Sequence, residues 1–594
     1  MLLITIIPQK KWFAFAMLLI LAAGFRLAVA HWFPNDAPDD GRIYAQIARN
    51  VVEQHVYSHE TEAPYDPSFI RLPGYPLFLA GVYAVFGHSN NGAARIAQAL
   101  IDTATCALVA LLAFYWQPDE KRKRVTAIAA LALAAACPFT AIYAATILTE
   151  VPTNFFVMAM CLAATLAFRN GFTTEDTEES AKDRKSFKRS VVWWSIAGLL
   201  GGGAVMFRPD CGLFMASIGF TLVMATIWRW WISHRKHSRR FSLTVHSKLS
   251  RLFVFGAAFA LGFAVTLAPW TIRNWRVFHL FQPLSPVNAE MPGEFIPHGY
   301  LRWVKTWLDD QRYIDVAVWE VGIQPITLDD LPGGAFDSAA ERDRVAALLD
   351  QYNHPPNAQV AEAKPEKTSA PTISPTPTPA PGVLNAQATP TPPVNQMTKN
   401  ENDNSNSSAN EQAGDSDDQG DDNGDDDQSD DAKTEAHGPV AMTPEIDAAF
   451  GQLAAERIAR HPLRFYLWMP MKRAAALWFN THSDYYPFEG TLLPLDDLDH
   501  DIHQHIWLPL FVVLVGFYTL AGLAGALVLW LRGDFYSRSW VLLVSLIIVS
   551  RLAFFSTLEN PEPRYVVEFF PFLAALGGIA FARLWRPSVK EPAP

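Results

Sequence analysis

The sequence predicts an all-α, polytopic membrane protein with about ten transmembrane helices, and three observations carry that prediction. Half of the 594 residues are hydrophobic, 12% are aromatic and only 18% are charged, against about a quarter charged in an average soluble protein. The deficit lies in apolar runs long enough to cross a bilayer, which takes about 20 residues each. The basic residues between those runs fall in clusters that all belong to one side of the threading. This excludes a soluble enzyme, a fibrous protein and a nucleic-acid binder. The net charge of −11 is misleading: ten aspartates lie between Asp415 and Asp431, and without them the chain is close to neutral. Cys106, Cys137, Cys161 and Cys211 all sit in apolar segments, which argues against a disulfide framework and a Cys-rich zinc site.

The first apolar span covers 12–30, after Lys10 and Lys11. Ala28-Val29-Ala30 looks like a signal-peptidase site, but Arg26 interrupts the apolar run just before it and argues for retention. Further spans are expected at 92–116, 125–146, 152–168, 191–207, 211–231, 252–270, 506–531, 539–557 and 565–583. Four basic residues occupy 121–124, six lie between Arg169 and Arg189, and seven between Arg229 and Arg251. Arg583, Arg586 and Lys590 add to them. Alternate threading of ten spans puts all of these on the cytoplasmic side with both termini, as suits a bacterial inner membrane; an endoplasmic-reticulum enzyme would have equivalent geometry.

Residues 1–352 then form an N-terminal membrane module holding spans one to seven. It includes a first external loop, 31–91, and the start of a small external domain, 271–352. Residues 353–440 read as a disordered Pro/Thr- and Asp-rich tether, whose composition cannot bury enough apolar surface to offset chain entropy. An external helical segment, 441–505, follows the tether. The last transmembrane helices and a cytoplasmic tail occupy 506–594. Within the external domain, Trp303 to Tyr313 and Asp337 to Tyr352 have helical patterning. A helix is expected to begin at Thr443 as N-cap with Pro444 in first position, presenting Ile446, Phe450 and Leu453 on one face.

The first external loop holds the residues best suited to chemistry. Ile43, Ile47 and Val51 fall at helical spacing, so 41–52 reads as an amphipathic helix on the membrane surface. Asp40 stands at its N-terminus, where a capping role worth about 1 kcal/mol is the plain reading.

Asp40, Tyr44 four residues on and then Ile47-Ala48 resemble the Asp-x-x-x-Tyr-x-x-Ile-Ala signature of the GT-C glycosyltransferases. Arg71-Leu72-Pro73-Gly74-Tyr75-Pro76 resembles the Arg/Lys-x-Pro-x-Tyr element that follows it. Leu148-Thr149-Glu150-Val151-Pro152, Phe207-Arg208-Pro209, Ala268 to Asn274 and Pro563-Arg564-Tyr565 agree, and all fall on the external side. The chain is most similar to the protein-mannosyltransferase-like branch, which includes the lipid A aminoarabinose transferases. The resemblance implies GT-C-like architecture and transfer of a sugar from a polyprenyl-phosphate donor to an acceptor glycan, lipid or protein. One departure is clear: many members carry Asp-Glu where this chain has Asp40-Gly41, preceded by Asp39. Spacing to Tyr44 favours Asp40 as the catalytic carboxylate, with Asp39 the alternative.

The resemblance implies a carboxylate that takes the proton of an acceptor hydroxyl, giving single displacement with inversion. Were the acceptor already a phosphate anion, the carboxylate would orient it instead. The leaving phosphate needs cations rather than a proton donor. Arg71 is the first candidate, with Arg208, Arg273 and Arg564 behind it, since a guanidinium makes two-pronged contacts with phosphate; each could equally anchor a span at headgroup level. Tyr44, Tyr75 and Glu150 complete the candidate set, Glu150 because an ionisable group at the mouth of a span is costly unless paired or hydrated. No cofactor is required by these residues, although a divalent cation remains open: Asp496 to His505 combines an Asp-x-Asp with spaced histidines. The same run also reads as the solvated start of the next span. A lipid or saccharide transporter is the rival reading, but no internal repeat is visible and the candidate charges cluster at the surface rather than at mid-membrane. A third reading is an inactive scaffold.

Overall fold

The computed structural model describes residues 9–37, 40–87, 89–172, 181–236, 241–286, 289–309, 313–355, 440–479, 502–559 and 562–584. The acidic tether, Asp39 and Asp496 to Asp501 lie outside them, so these expectations are neither met nor refused. The described residues are helical, and their only β-type pairing is a single bridge between Asn35 and Thr146.

In chain order the helices are α1 Gln9–Trp32, α2 Asp40–Glu53, α3 Gly74–Phe86, α4 Asn91–Trp116, α5 Lys123–Ala135, α6 Pro138–Ala145, α7 Glu150–Phe172 and α8 Ala181–Phe207. Then come α9 Gly212–Lys236, α10 Phe241–Phe278, α11 His298–Val304, α12 Ala339–Asn353, α13 Pro444–Arg460, α14 Met469–Phe479, α15 Ile502–Arg532, α16 Phe535–Phe555 and α17 Phe569–Leu584. Among the described residues eight helices are long and apolar enough to cross a membrane, or nine if α5 and α6 count as one bent span. The chain is therefore multi-pass.

Two of the ten expected spans take a different form. The run 125–146 is broken by a 50° bend between α5 and α6. Pro138, which lacks an N–H, opens α6. Arg26 serves the carbonyls at this break: its Nη1 donates to Ala135 O at 3.0 Å, and its Nη2 to Ala134 O at 3.0 Å, which the Cys137 N–H also reaches at 3.3 Å. Its Nε donates to Asp102 on α4 at 2.6 Å. Arg26 thus packs α1 into the bundle through a fully buried ion pair. The last run, 565–583, starts its helix only at Phe569, because Pro563–Val566 forms a tight turn first. The 16-residue α17 is shorter than the eight helices of span length.

The core of the bundle is one continuous apolar cluster joining α1, α4 to α10 and α14 to α17. A second apolar cluster is separate from the first, and in it Tyr300, Trp303 and Trp307 pack against Ile446, Phe450 and Leu453. The expected cap is present: Thr443 Oγ1 accepts from the Ile446 N–H at 3.4 Å, with Pro444 in the first turn. Ser338 Oγ does the same for α12 through Glu341 N at 3.2 Å. The helix expected over 303–313 stops at Val304. Beyond it, the carbonyls of Lys305 and Leu308 accept from Arg473 of α14 at 2.6 and 2.7 Å.

Candidate functional site

The site forms at one end of the bundle, where α1 ends, α7 begins and the turn before α17 lies. Asn35 is pinned beside the end of α6: its N–H donates to Ala145 O at 3.1 Å, and Ile147 N donates to Asn35 O at 3.0 Å. Arg95 of α4 braces the same strip through Ala145 O and an ion pair with Asp36. The chain then turns into α2 at Asp40.

Gly41 follows Asp40 for a steric reason. A methyl group at this position would overlap the backbone oxygen of Asp36 and lie 2.9 Å from the carbonyl oxygen of Ile147. The helix start is pressed so tightly against the strip below that no side chain fits. Gly74 is similarly constrained, since a Cβ there would meet Met206 O at 2.6 Å.

Asp40 does more than stand at a helix start. Its Oδ1 accepts from Arg71 Nη2 at 2.9 Å and its Oδ2 from Arg564 Nη2 at 3.1 Å. All three side chains are partly open to solvent, Asp40 at 23%, Arg71 at 22% and Arg564 at 10%. Burial would raise the Asp40 pKa, but Arg564 and Arg71 outweigh it and hold the carboxyl below its ordinary value. Burial, together with the negative charge of Asp40, pushes the Tyr44 phenol up. Arg564 is tethered in turn by Glu562 at 2.7 Å.

Beneath this triad lies a denser set of charges. Arg208 pairs with Glu150 at 2.7 Å, with Asp210 at 3.2 Å and with Glu568 at 3.5 Å. Arg551 pairs with Asp210 and, at 3.0 Å, with Glu568. Arg551 and Glu568 are completely buried. Two guanidiniums thus meet three carboxylates in the space where α7, α8, α9, α16 and the start of α17 converge. Arg208 and Arg564 both stack on Tyr565, at 5.5 and 5.2 Å from its ring centre, which joins the two layers.

The remaining sequence candidates sit farther from the Asp40 carboxylate. Arg273 donates to Ser68 O at 2.7 Å and Tyr57 O at 3.4 Å, and packs over the rings of Tyr57 and Trp270. Tyr57 in turn donates its hydroxyl to Arg71 O at 3.0 Å. Arg273 therefore braces the segment that presents Arg71. The Tyr75 hydroxyl donates to Gln98 at 2.7 Å, and its ring packs edge-on against Tyr44 at 5.2 Å. Sequence reasoning missed Asp210, Arg551, Glu562 and Glu568. Arg551 had a visible signal, a lone cation inside an apolar run.

Among the described residues no group of three or more His, Cys, Asp or Glu side chains is arranged to hold a metal ion. The imidazoles and carboxylates of Asp496 to His505 are not part of that description. Fold and site together define a multi-pass helical protein with a charged, partly open centre at one end of its bundle. Compared with family models, curated proteins and solved structures, the chain matches none.

Proposed function

We propose that the chain is an integral-membrane glycosyltransferase of the GT-C type, moving a sugar from a polyprenyl-phosphate-linked donor to an acceptor at the periplasmic face of a bacterial inner membrane. One observation carries this reading: a partly open carboxylate, Asp40, lies between two guanidiniums drawn from segments 31 and 524 residues away in sequence. A base and a pair of phosphate-binding cations in one place are what sugar transfer from a phosphate leaving group requires. The described parts of the basic connections 121–124, 169–189 and 229–251 belong to the opposite end of the bundle, the cytoplasmic side by the positive-inside rule. The Asp40 end is then external, and both termini are cytoplasmic.

In the proposed step the acceptor oxygen attacks the anomeric carbon and its proton passes to the Asp40 carboxylate. The bond from that carbon to the phosphate oxygen breaks, and polyprenyl phosphate leaves with the electron pair, its charge met by Arg71 and Arg564. Inversion follows from a single displacement. Arg208 is committed to three carboxylates, and its role is to hold the floor under Arg564. Arg273 supports Arg71 through Tyr57.

The test is sugar transfer from a panel of polyprenyl-phosphate sugars to membrane extracts, comparing wild type with folded Asp40→Asn and Arg71→Ala. Loss of transfer in both variants supports the assigned roles. Absence of polyprenyl phosphate release by the wild type from every donor would overturn the reading and make lipid or saccharide transport the next assay.

A further inference from the structure

The segment joining the separate domain to α15 has two unlike sides. On one side Leu477 is fully buried in the bundle core. Trp478 donates from Nε1 to Thr519 Oγ1 at 2.9 Å, and its ring lies 5.4 Å from that of Phe569. Arg473 reaches the Ser556 carbonyl, just past the end of α16. On the other side Leu463, Tyr466, Leu467, Trp468 and Met471 have nothing over them, with Leu463 at 75% and Tyr466 at 67% exposure. The charges of the segment avoid that side: Arg464 pairs with Asp337 and Lys472 with Asp309, both at the separate domain.

Depth decides what covers the apolar side. Thr519 lies ten residues along from Pro509, the first residue of its apolar span, or about 15 Å at 1.5 Å per residue. Trp478 therefore meets α15 within its apolar stretch and α17 at its first residue, while Arg473 meets the end of α16, which puts the segment at the outer boundary of the spans. A helix entering the bundle at that boundary carries its neighbouring outward face against the lipid interface. The composition of that face, Leu and Met with one Trp and one Tyr, is that of a membrane–water interface. A contiguous apolar patch of this kind is rarely left to water.

We propose that Leu463–Phe479 is an interfacial membrane anchor. Its Leu463, Tyr466, Leu467, Trp468 and Met471 side rests in the lipid of the leaflet at the Asp40 end and fixes the height of the separate domain above the site. This does not depend on the glycosyltransferase reading. The anchor packs against the turn that carries Arg564, so its seating in lipid bears directly on the centre.

The experiment is spin labelling of Leu467→Cys and, separately, Trp468→Cys in full-length protein reconstituted into phosphatidylcholine–phosphatidylglycerol nanodiscs. The four native cysteines are all buried and provide little competing label. Asp350→Cys on the exposed face of α12 serves as the aqueous reference, and Leu523→Cys on the exposed face of α15 as the lipid reference. The expected result is a ratio of oxygen access to water-soluble nickel chelate access well above that of Asp350 and below that of Leu523, which lies near the middle of its span. Access resembling that of Asp350 at both positions would overturn the proposal. So would shielding from both reagents, which would mean coverage by protein.

Discussion

Asp40 carries a separate guanidinium on each carboxylate oxygen, Arg71 on Oδ1 at 2.9 Å and Arg564 on Oδ2 at 3.1 Å. In the proposed reaction the same two cations receive the donor phosphate, so carboxylate and phosphate compete for them. Asp40→Asn removes the competing charge together with the base. We expect this variant to lose transfer by roughly 100-fold or more, the scale of general-base catalysis, while binding polyprenyl phosphate at least as tightly as wild type. Arg71→Ala should weaken both. Equilibrium binding of labelled polyprenyl phosphate, measured beside turnover, separates the two cases. Asp40→Asn binding much weaker than wild type would refute the competition.

The ion pairs also set a pH dependence. The Asp40 pKa is lowered from an ordinary value of 3.8, because the two arginines outweigh burial. Its pairing therefore contributes stability that is present above the unfolded-state value and lost as pH falls through the lower folded value. Asp40 should stay ionised throughout the neutral and mildly acidic range, and an acid limb in the rate profile with a midpoint near 6 would have to come from another group. Arg564→Ala leaves burial less opposed, so the Asp40 pKa should rise and the acid limb move to higher pH. A rate profile of this variant superimposable on that of wild type at every pH would contradict the pairing.

These relationships differ in how far the sequence revealed them. The cap at Thr443-Pro444 and the face shared by Ile446, Phe450 and Leu453 are local patterns, and they appear as expected. The helix starting at Asp40 is equally local. That Asp40, Arg71 and Arg564 share one site followed only from their common side of the threading and from resemblance to a family motif. The partners of Arg208 and Arg551 could not be read at all: Asp210 and Arg551 are 341 residues apart, and no local pattern encodes which buried charges meet. Arg273 looked like any other arginine at a span end, and only its contacts with Ser68 and Tyr57 show it bracing a loop. The bend after Ala135 was hidden because Cys137-Pro138 sits in an otherwise uninterrupted apolar run.

Gly41 offers a sharper test of the site's construction. Gly41→Ala forces a methyl group against Asp36 O and the Ile147 carbonyl. The helix start must shift, carrying Asp40 away from its arginines. Overpacking of this kind costs typically about 1–3 kcal/mol. Gly81→Ala, within helix α3 with open space around it, should be neutral or slightly stabilising. Thermal unfolding in detergent of the two variants should separate them by several degrees. Equal melting temperatures would mean that the contact at Gly41 is not as close as described.

The Arg26–Asp102 pair makes the last prediction, because it distinguishes a charge kept for geometry from one kept for chemistry. Both side chains are buried, and Arg26 also serves the carbonyls at the break between α5 and α6. Asp102→Leu leaves a guanidinium without its counter-charge inside the bundle, and breaking a buried pair in this way costs about 3–5 kcal/mol. Adding Arg26→Leu removes the stranded charge, so the double variant should recover part of the loss. Recovery should be incomplete, because Ala135 O then loses the Arg26 donor, whereas Ala134 O keeps the Cys137 N–H at 3.3 Å, and an unmet buried carbonyl costs about 1–3 kcal/mol. Unfolding measured by denaturant titration in mixed micelles should therefore rank wild type above the double variant and the double variant above Asp102→Leu. A double variant less stable than Asp102→Leu would show that capping the break, rather than pairing with Asp102, is the main contribution of Arg26.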